Sequence, residues 1–195
     1  MIEPTAEKVE VLPELVSRFE RVRFEGVDWD LSYLNSFAFK RDINLGFEVV
    51  VVVIFSSHCF THSFRWDHRD RADIPSFEIY NDGREQRVLD KDRYELSAKL
   101  LRHMILTLDE RRIIIASESR QNFMTLELQT AEGEVSTYAV FFNVEKDSTR
   151  RKRLILRVQA AYRLLGRPRK RQQSAKKVNF GVLLKAAYEG RRIKS

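Results

Sequence analysis

Three of the four histidines of this 195-residue chain fall within one short stretch, His58-Cys59-Phe60-Thr61-His62-Ser63-Phe64-Arg65-Trp66-Asp67-His68. Imidazole is the side chain whose ordinary pKa lies nearest neutrality, so His58 or His62 can take up and return a proton at physiological pH. Metal-independent RNA cleavage needs little more. It requires a base for the 2′-hydroxyl, an acid for the leaving oxygen, and cations for the charge that builds on the phosphorane. Arg93, at the start of a predicted helix, and Arg157, inside a predicted strand, can supply the cations. His58, His62, Arg93 and Arg157 are therefore the candidate catalytic residues. The same stretch leaves other chemistries open. His58, Cys59, His62 and His68, with Asp67 or Asp70, hold enough donors for zinc, but their spacing fits no regular motif, and neither a metal nor another cofactor is expected. A nucleophilic Cys59 would need a histidine within hydrogen-bond reach, whereas a lone cysteine is usually a small apolar filler. The plainest alternative is that the histidines are satisfied by local hydrogen bonds. The chain has no phosphate-cradling glycine loop, no H-E-x-x-H and no nucleophile elbow.

Charge supplies the second clue. The segment from Arg150 to Ser195 holds 16 of the 35 Lys and Arg residues but only one of the 28 acids, Glu189. It is formally +15, the remainder −8, and the overall +7 conceals the division. Such asymmetry points to a polyanionic partner, RNA or DNA, with an acidic protein partner as the alternative. Arg150, Arg151, Lys152 and Arg153 form one basic cluster. Arg167, Arg169, Lys170, Arg171, Lys176 and Lys177 form another, and together they are the candidate nucleic-acid-binding residues. Neutralisation by the acidic remainder of the same chain is the rival reading.

These residues need elements to position them. Pro13 with Leu12, Leu15, Val16 and Phe19 predicts a short helix, and Leu34–Lys40 a strand. Phe47 to Phe55, rich in valine and almost continuously apolar, reads as a central strand covered on both faces. The histidine stretch follows it directly, as a loop from Ser56 to Asp73, a favoured place for function. Phe77–Tyr80 and Gln86–Leu89 flank a hairpin turn at Asn81-Asp82-Gly83-Arg84. Leu101, Met104, Ile105 and Leu108 give a helical stripe within Asp92–Asp109, with Asp90 or Asp92 as its cap. Arg93, Tyr94 and Ser97 near that start could hold a phosphate, although Tyr94 is spaced to join the apolar stripe.

Four strand-like runs come next. Ile113–Ile115 is followed by Met124, Leu126 and Leu128, by Tyr138, Val140, Phe142 and Val144, and by a core row of Leu154, Leu156, Val158, Ala160 and Tyr162. Thr125, Glu127, Gln129, Arg157 and Gln159 are expected on the opposite, polar face. The basic loop Gly166–Lys177 leads to a last helix around Phe180–Tyr188. The sum is an α+β fold: a mainly antiparallel sheet, its C-terminal part a four-strand meander, with helices packed on one face. One domain is expected over residues 1–195, with the basic portion at 150–195.

Composition bounds the class. With 43% hydrophobic and 11% aromatic residues, a folded core is expected rather than disorder. A single cysteine excludes an intrachain disulfide. The opening MIEPTAEKVE is acidic where a secretory signal is basic and then apolar. The longest apolar run is far short of the ~20 residues a membrane helix needs. A soluble, cytoplasmic protein without membrane contact is the expectation.

Two resemblances rest on particular fragments. Phe142-Asn143-Val144 followed by Arg153-Leu154-Ile155, in the order helix, meander, basic loop and short helix, resembles the ribonuclease toxins of the RelE/HigB class. That resemblance spans residues 90–190 and implies a metal-independent endoribonuclease of toxin type. Separately, His58-Cys59-Phe60-Thr61, Arg93-Tyr94 with Ser97, Asn122-Phe123, Val140-Phe141-Phe142 and Ala161-Tyr162 are similar to the marks of an uncharacterised bacterial family of the kind carried on mobile elements. This second resemblance implies no particular activity. The reading that results is a bacterial nucleic-acid-binding protein, with metal-independent RNA cleavage as its possible reaction. The alternative is a non-enzymatic accessory or regulatory protein that docks nucleic acid or an acidic partner.

Overall fold

The computed structural model describes residues 19, 21–117, 120, 122–131, 134–164 and 178–194. The expected helix at Pro13 and the basic loop from Gly166 to Lys177 lie outside the described residues, and with them Arg167, Arg169, Lys170, Arg171, Lys176 and Lys177. A hairpin of β1 (Val22–Phe24) and β2 (Val27–Trp29) comes first, followed by β3 (Phe37–Asp42) and β4 (Glu48–Phe55). The histidine stretch contains the two-residue β5 (Thr61–His62) and short 3-10 turns rather than one open loop. Then come β6 (Ile79–Asn81), β7 (Gln86–Leu89), helix α1 (Lys91–Leu106), β8 (Ile113–Ser117), β9 (Asn122–Ala131), β10 (Glu134–Lys146), β11 (Arg153–Leu164) and helix α2 (Phe180–Tyr188).

The main sheet has the order β3-β4-β11-β10-β9-β8. Every neighbouring pair is antiparallel except β4 with β11. A small sheet, β5-β7-β6, stands apart from it. The architecture is therefore α+β with mostly antiparallel strands. The valine run of β4 explains its central place. Val49, Val51 and Val53 are fully buried on one face and Val52 is 3% exposed on the other, and β-branched side chains suit such a doubly packed strand.

Pairing assigns the faces. Phe37 lies opposite Val53 and Phe39 opposite Val51, so both phenylalanines share a side. Arg102 of α1 lies 4.3 Å over the Phe37 ring, and Phe180 of α2 packs 6.4 Å from Phe39. Both helices thus cover the same face. Leu101, Met104 and Ile105 of α1 are buried there, together with Leu183 and Leu184 of α2. The Asp90 carboxylate accepts the Arg93 backbone N–H at 3.0 Å and caps α1, which satisfies one of the orphan donors of its first turn. No helix among the described residues is long and apolar enough to cross a membrane.

Two expected face assignments are corrected. On β11 the register slips between Phe141 and Phe142 of β10: Phe141 faces Ala160 and Phe142 faces Val158. Gln159 is the extra residue of a β-bulge, which reverses the parity beyond it. The core row is therefore Leu154, Leu156, Val158 and Ala161, while Ala160 and Tyr162 turn to the side away from the helices. On β9, Thr125 lies opposite both Val140 and Ile113 and is fully buried on the helix side. The alternation of Met124, Leu126 and Leu128 with Thr125, Glu127 and Gln129 predicts the opposite phase, whereas Phe123, Thr125 and Glu127 lie opposite Phe142, Val140 and Tyr138. Pairing with the Tyr138–Val140–Phe142 row decides it.

One polar bridge ties helix to sheet. The hydroxyl of Ser97, wholly buried, donates to the Cys59 carbonyl at 2.7 Å and accepts from Tyr138 Oη at 2.7 Å. Ser97→Ala leaves both partners buried and unsatisfied, at a cost of about 2 kcal/mol or more. Urea denaturation checks this, and a midpoint unchanged from wild type would disprove the bridge's contribution.

Candidate functional site

The site begins where β4 stops. β11 runs on past Phe55, and the departing chain is pinned to it: Ser56 N–H donates to the Val158 carbonyl at 3.1 Å and Ser56 Oγ to the Gln159 carbonyl at 2.6 Å. Ser57–Cys59 then form a 3-10 turn. Cys59 and Phe60 are completely buried, with the Phe60 ring edge-on to Phe19 and Tyr80 at 5.2 and 5.0 Å. Those anchors leave the His58 side chain at the surface, 35% exposed.

The β6–β7 hairpin folds over this turn. Gly83, at φ +83°, takes the left-handed position that the Asn-Asp-Gly sequence provides. Asp82 accepts from Ser57 Oγ at 2.7 Å, and Glu85 meets His58 Nε2 at 2.8 Å. A cleft of about 510 Å³ lies between this hairpin and β11. Ser57, His58, Asp82, Arg84 and Glu85 line one wall; Asn122, Phe141, Arg157, Gln159 and Tyr162 line the other.

Burial and Glu85 act on His58 in opposite senses. Burial lowers its pKa below the ordinary imidazole value, against the upward pull of the Glu85 hydrogen bond, so the ring is neutral at neutral pH. Arg87, 6% exposed, donates to Thr61 Oγ1 at 2.8 Å and to the same Glu85 oxygen at 3.1 Å. Burial pushes the Glu85 carboxyl up, but the His58 hydrogen bond and the Arg87 charge outweigh it and leave it lowered. A carboxylate only accepts. His58 therefore gives Nε2–H to Glu85 and keeps the Nδ1 lone pair for a proton.

His62 is placed differently. Nδ1 lies 3.1 Å from Asp90 Oδ2, and Nε2 lies 3.1 Å from Asp67 Oδ2. Two carboxylates at the two nitrogens require both to donate, which defines an imidazolium. Its pKa is raised, first by the Asp90 hydrogen bond and then by Asp67, against burial. Arg93 lies behind the cleft wall. It donates to the carbonyls of His58 at 3.2 Å and Thr61 at 2.9 Å, pairs with Asp90 at 3.1 Å, and lies 4.6 Å over the Tyr162 ring. Of the four candidate catalytic residues, then, the cleft collects His58 and Arg157, while His62 and Arg93 support it from behind.

The remaining candidates divide as well. Arg150, Arg151 and Lys152 are exposed in the β10–β11 turn, with Lys152 Nζ 4.6 Å from the Phe47 ring centre. Arg153 pairs with Asp147 at 3.5 Å, Arg157 with Glu145 at 3.1 Å, and Arg163 with Asp92 at 2.8 Å. Burial pushes the Cys59 thiol up to about 12, so it carries no thiolate at neutral pH. His68 is 93% exposed. Among the described residues, no three His, Cys, Asp or Glu side chains are grouped to hold a metal ion. Sequence reasoning passed over Asp82, Arg84, Glu85 and Arg87. The hairpin signal placed Asp82 and Arg84 in its turn and Arg87 in its second strand, but nothing local told which strand end the hairpin would cover.

The fragments carrying the second resemblance meet here. His58 and Thr61 are held by Arg93, Ser97 holds the Cys59 carbonyl, and Asn122 donates to Gln159 Oε1 at 2.5 Å beside Phe141 and Tyr162. A model of the YjaZ family matches residues 21–188. No curated protein and no solved structure matches. The family match supplies neither a mobile-element setting nor a tie to the RelE/HigB toxins. With most of its length matched, the chain belongs to the YjaZ family.

Proposed function

We propose that the protein binds nucleic acid and cleaves RNA without a metal, with His58 as the base. The observation that carries this reading is the geometry of His58, held at 2.8 Å by Glu85 and sharing one cleft with Arg157 and Arg84. In the reaction, His58 Nδ1 removes the 2′-hydroxyl proton and O2′ attacks the adjacent phosphorus. The bond to the 5′ oxygen breaks, and that oxygen takes a proton from water in the open cleft. A 2′,3′-cyclic phosphate and a 5′-hydroxyl result, and His58 returns its proton to solvent. Arg157 and Arg84 stabilise the charge on the phosphorane. His62 and Arg93 act as positioning residues, because one clamps the loop and the other holds the His58 carbonyl. The exposed cations of the Arg150–Lys152 turn add sequence-independent attraction for the phosphate backbone.

A second reading has its own support. Arg153, Arg157 and Arg163 each face a carboxylate of the same chain, so part of the positive charge on β11 is neutralised internally. That weakens Arg157 as a phosphate ligand and favours a non-enzymatic accessory or regulatory protein, docking nucleic acid or an acidic partner through the exposed Arg150–Lys152 turn. Incubation with single-stranded RNA in a chelator separates the two. Products ending in cyclic phosphate support the enzyme. Intact RNA that is nevertheless bound with a steep salt dependence leaves the accessory role, and no binding at low salt removes nucleic acid from both.

A further inference from the structure

The cleft also carries an assignment of its substrate's form, which rests on the RNA reading above. Tyr162 faces the cleft only because the Gln159 bulge reverses the parity of β11; in a regular strand it would have followed Val158 into the helix-covered core. Phe141, opposite Ala160, emerges on the same side. The two rings stack at 5.4 Å with planes 18° apart. Arg93 lies over Tyr162 and is itself fixed by Asp90 and two carbonyls, so the aromatic pair is held rigidly on the cleft wall.

On their own face the rings lie beside fully buried Met124 and Ala139, their partners across the sheet, yet both keep part of their surface open to the cleft. Their polar company is informative too. Arg157 pairs with Asn143, two residues along β10 from Phe141, a spacing of about 7 Å. That is comparable to the distance between a nucleobase and its own phosphate. Arg157 and Glu145 are an exposed pair, 36% and 48%, and such a pair is readily exchanged for another anion. Arg84 stands exposed on the opposite wall. The volume lies in the range that encloses a ligand of nucleotide size.

We infer that the cleft takes one unstacked nucleotide of single-stranded RNA, its base laid against the Phe141–Tyr162 pair and its phosphate between Arg157 and Arg84, within reach of His58. Aromatic stacking of this kind accepts any base but needs it free of a helix. Duplex RNA keeps its bases inside and offers only backbone and groove.

The test is fluorescence anisotropy with a short 2′-fluoro oligonucleotide, which lacks the hydroxyl needed for cleavage, presented single-stranded or annealed to its complement. The single strand is expected to bind roughly tenfold more tightly than the duplex. Phe141→Leu and Tyr162→Leu should each weaken single-strand binding by about tenfold and leave duplex binding unchanged. Thermal unfolding checks that the variants fold. Phe141→Trp, which enlarges the platform, should bind as tightly or more tightly and keeps the test decisive if a leucine variant does not fold. Equal affinity for single strand and duplex, or unchanged affinity in the leucine variants, overturns the stacking inference while nucleic-acid binding stands. Absence of binding to either form at low salt overturns both.

Discussion

Replacing His58 with alanine is expected to lower kcat/KM for RNA cleavage by roughly 10²- to 10⁴-fold, the usual contribution of a positioned general base, while binding at low salt persists. Two neighbours make the effect large. Glu85 fixes the ring through Nε2 at 2.8 Å, and Arg87 fixes Glu85. The pH dependence is specific as well. Because burial holds the His58 pKa under its ordinary value of 6.5, the rising limb of kcat/KM against pH lies below 6.5. Glu85 pulls that pKa upward, so Glu85→Gln should move the limb still lower and reduce the rate as the ring loses its anchor. A limb at or above 6.5, or an alanine variant that cleaves at the wild-type rate, removes His58 from the mechanism.

His62→Ala is the second large effect, a loss of about 3 kcal/mol of stability in chemical denaturation. Its two nitrogens hold Asp67, 3% exposed, and Asp90, the cap of α1. Removing one partner of a buried pair leaves an uncompensated charge, which typically costs about 3–5 kcal/mol. The lower end applies here because Asp67 keeps Arg69 at 3.0 Å. The contribution also depends on pH. The folded pKa of His62 is raised above its value of 6.5 in the unfolded chain. Its stabilisation is therefore complete below 6.5 and is lost as pH rises through the folded pKa. His58, with its lowered pKa, works in the opposite sense: its contribution is present above 6.5 and is lost as pH falls through the folded value. The stability gap between wild type and His62→Ala should accordingly narrow as pH rises above 6.5. A gap that is constant or widens would show that the ring is not held as an imidazolium.

Elements whose side chains follow one period were legible without coordinates. The valine run became β4, the helix expected over Asp92–Asp109 became α1, which stops at Leu106 and has Asp90 as its cap, and Asn81-Asp82-Gly83 turned between β6 and β7. Each is decided by neighbours a few residues away. What stayed hidden depends on residues far apart in the chain. A single bulge at Gln159 redirects Tyr162, and no local pattern marks it, because Ala160 and Ala161 suit either face. The histidine stretch stands out in the sequence as a cluster of titratable groups, yet the opposite surroundings of His58 and His62 depend on Glu85, Asp67 and Asp90. Of the four partners of Arg93, the neighbouring carboxylate of Asp90 is within reach of a sequence pattern, but the two backbone carbonyls and the Tyr162 ring are not.

The parallel contact of β4 with β11 sets an order of events during synthesis. Ser56 and Gln159, which meet there, are 103 positions apart, and at about 5–20 residues per second a ribosome needs roughly 5–20 s to cover that interval. Throughout it, β4 has an unpaired apolar edge, of the kind that recruits other chains, and the histidine turn has no opposite wall. Arg157 and Tyr162 arrive together on β11, so one late strand both seals the sheet and completes the cleft. A nascent chain still lacking that strand would be the form most in need of a chaperone, and it would have only half of the cleft.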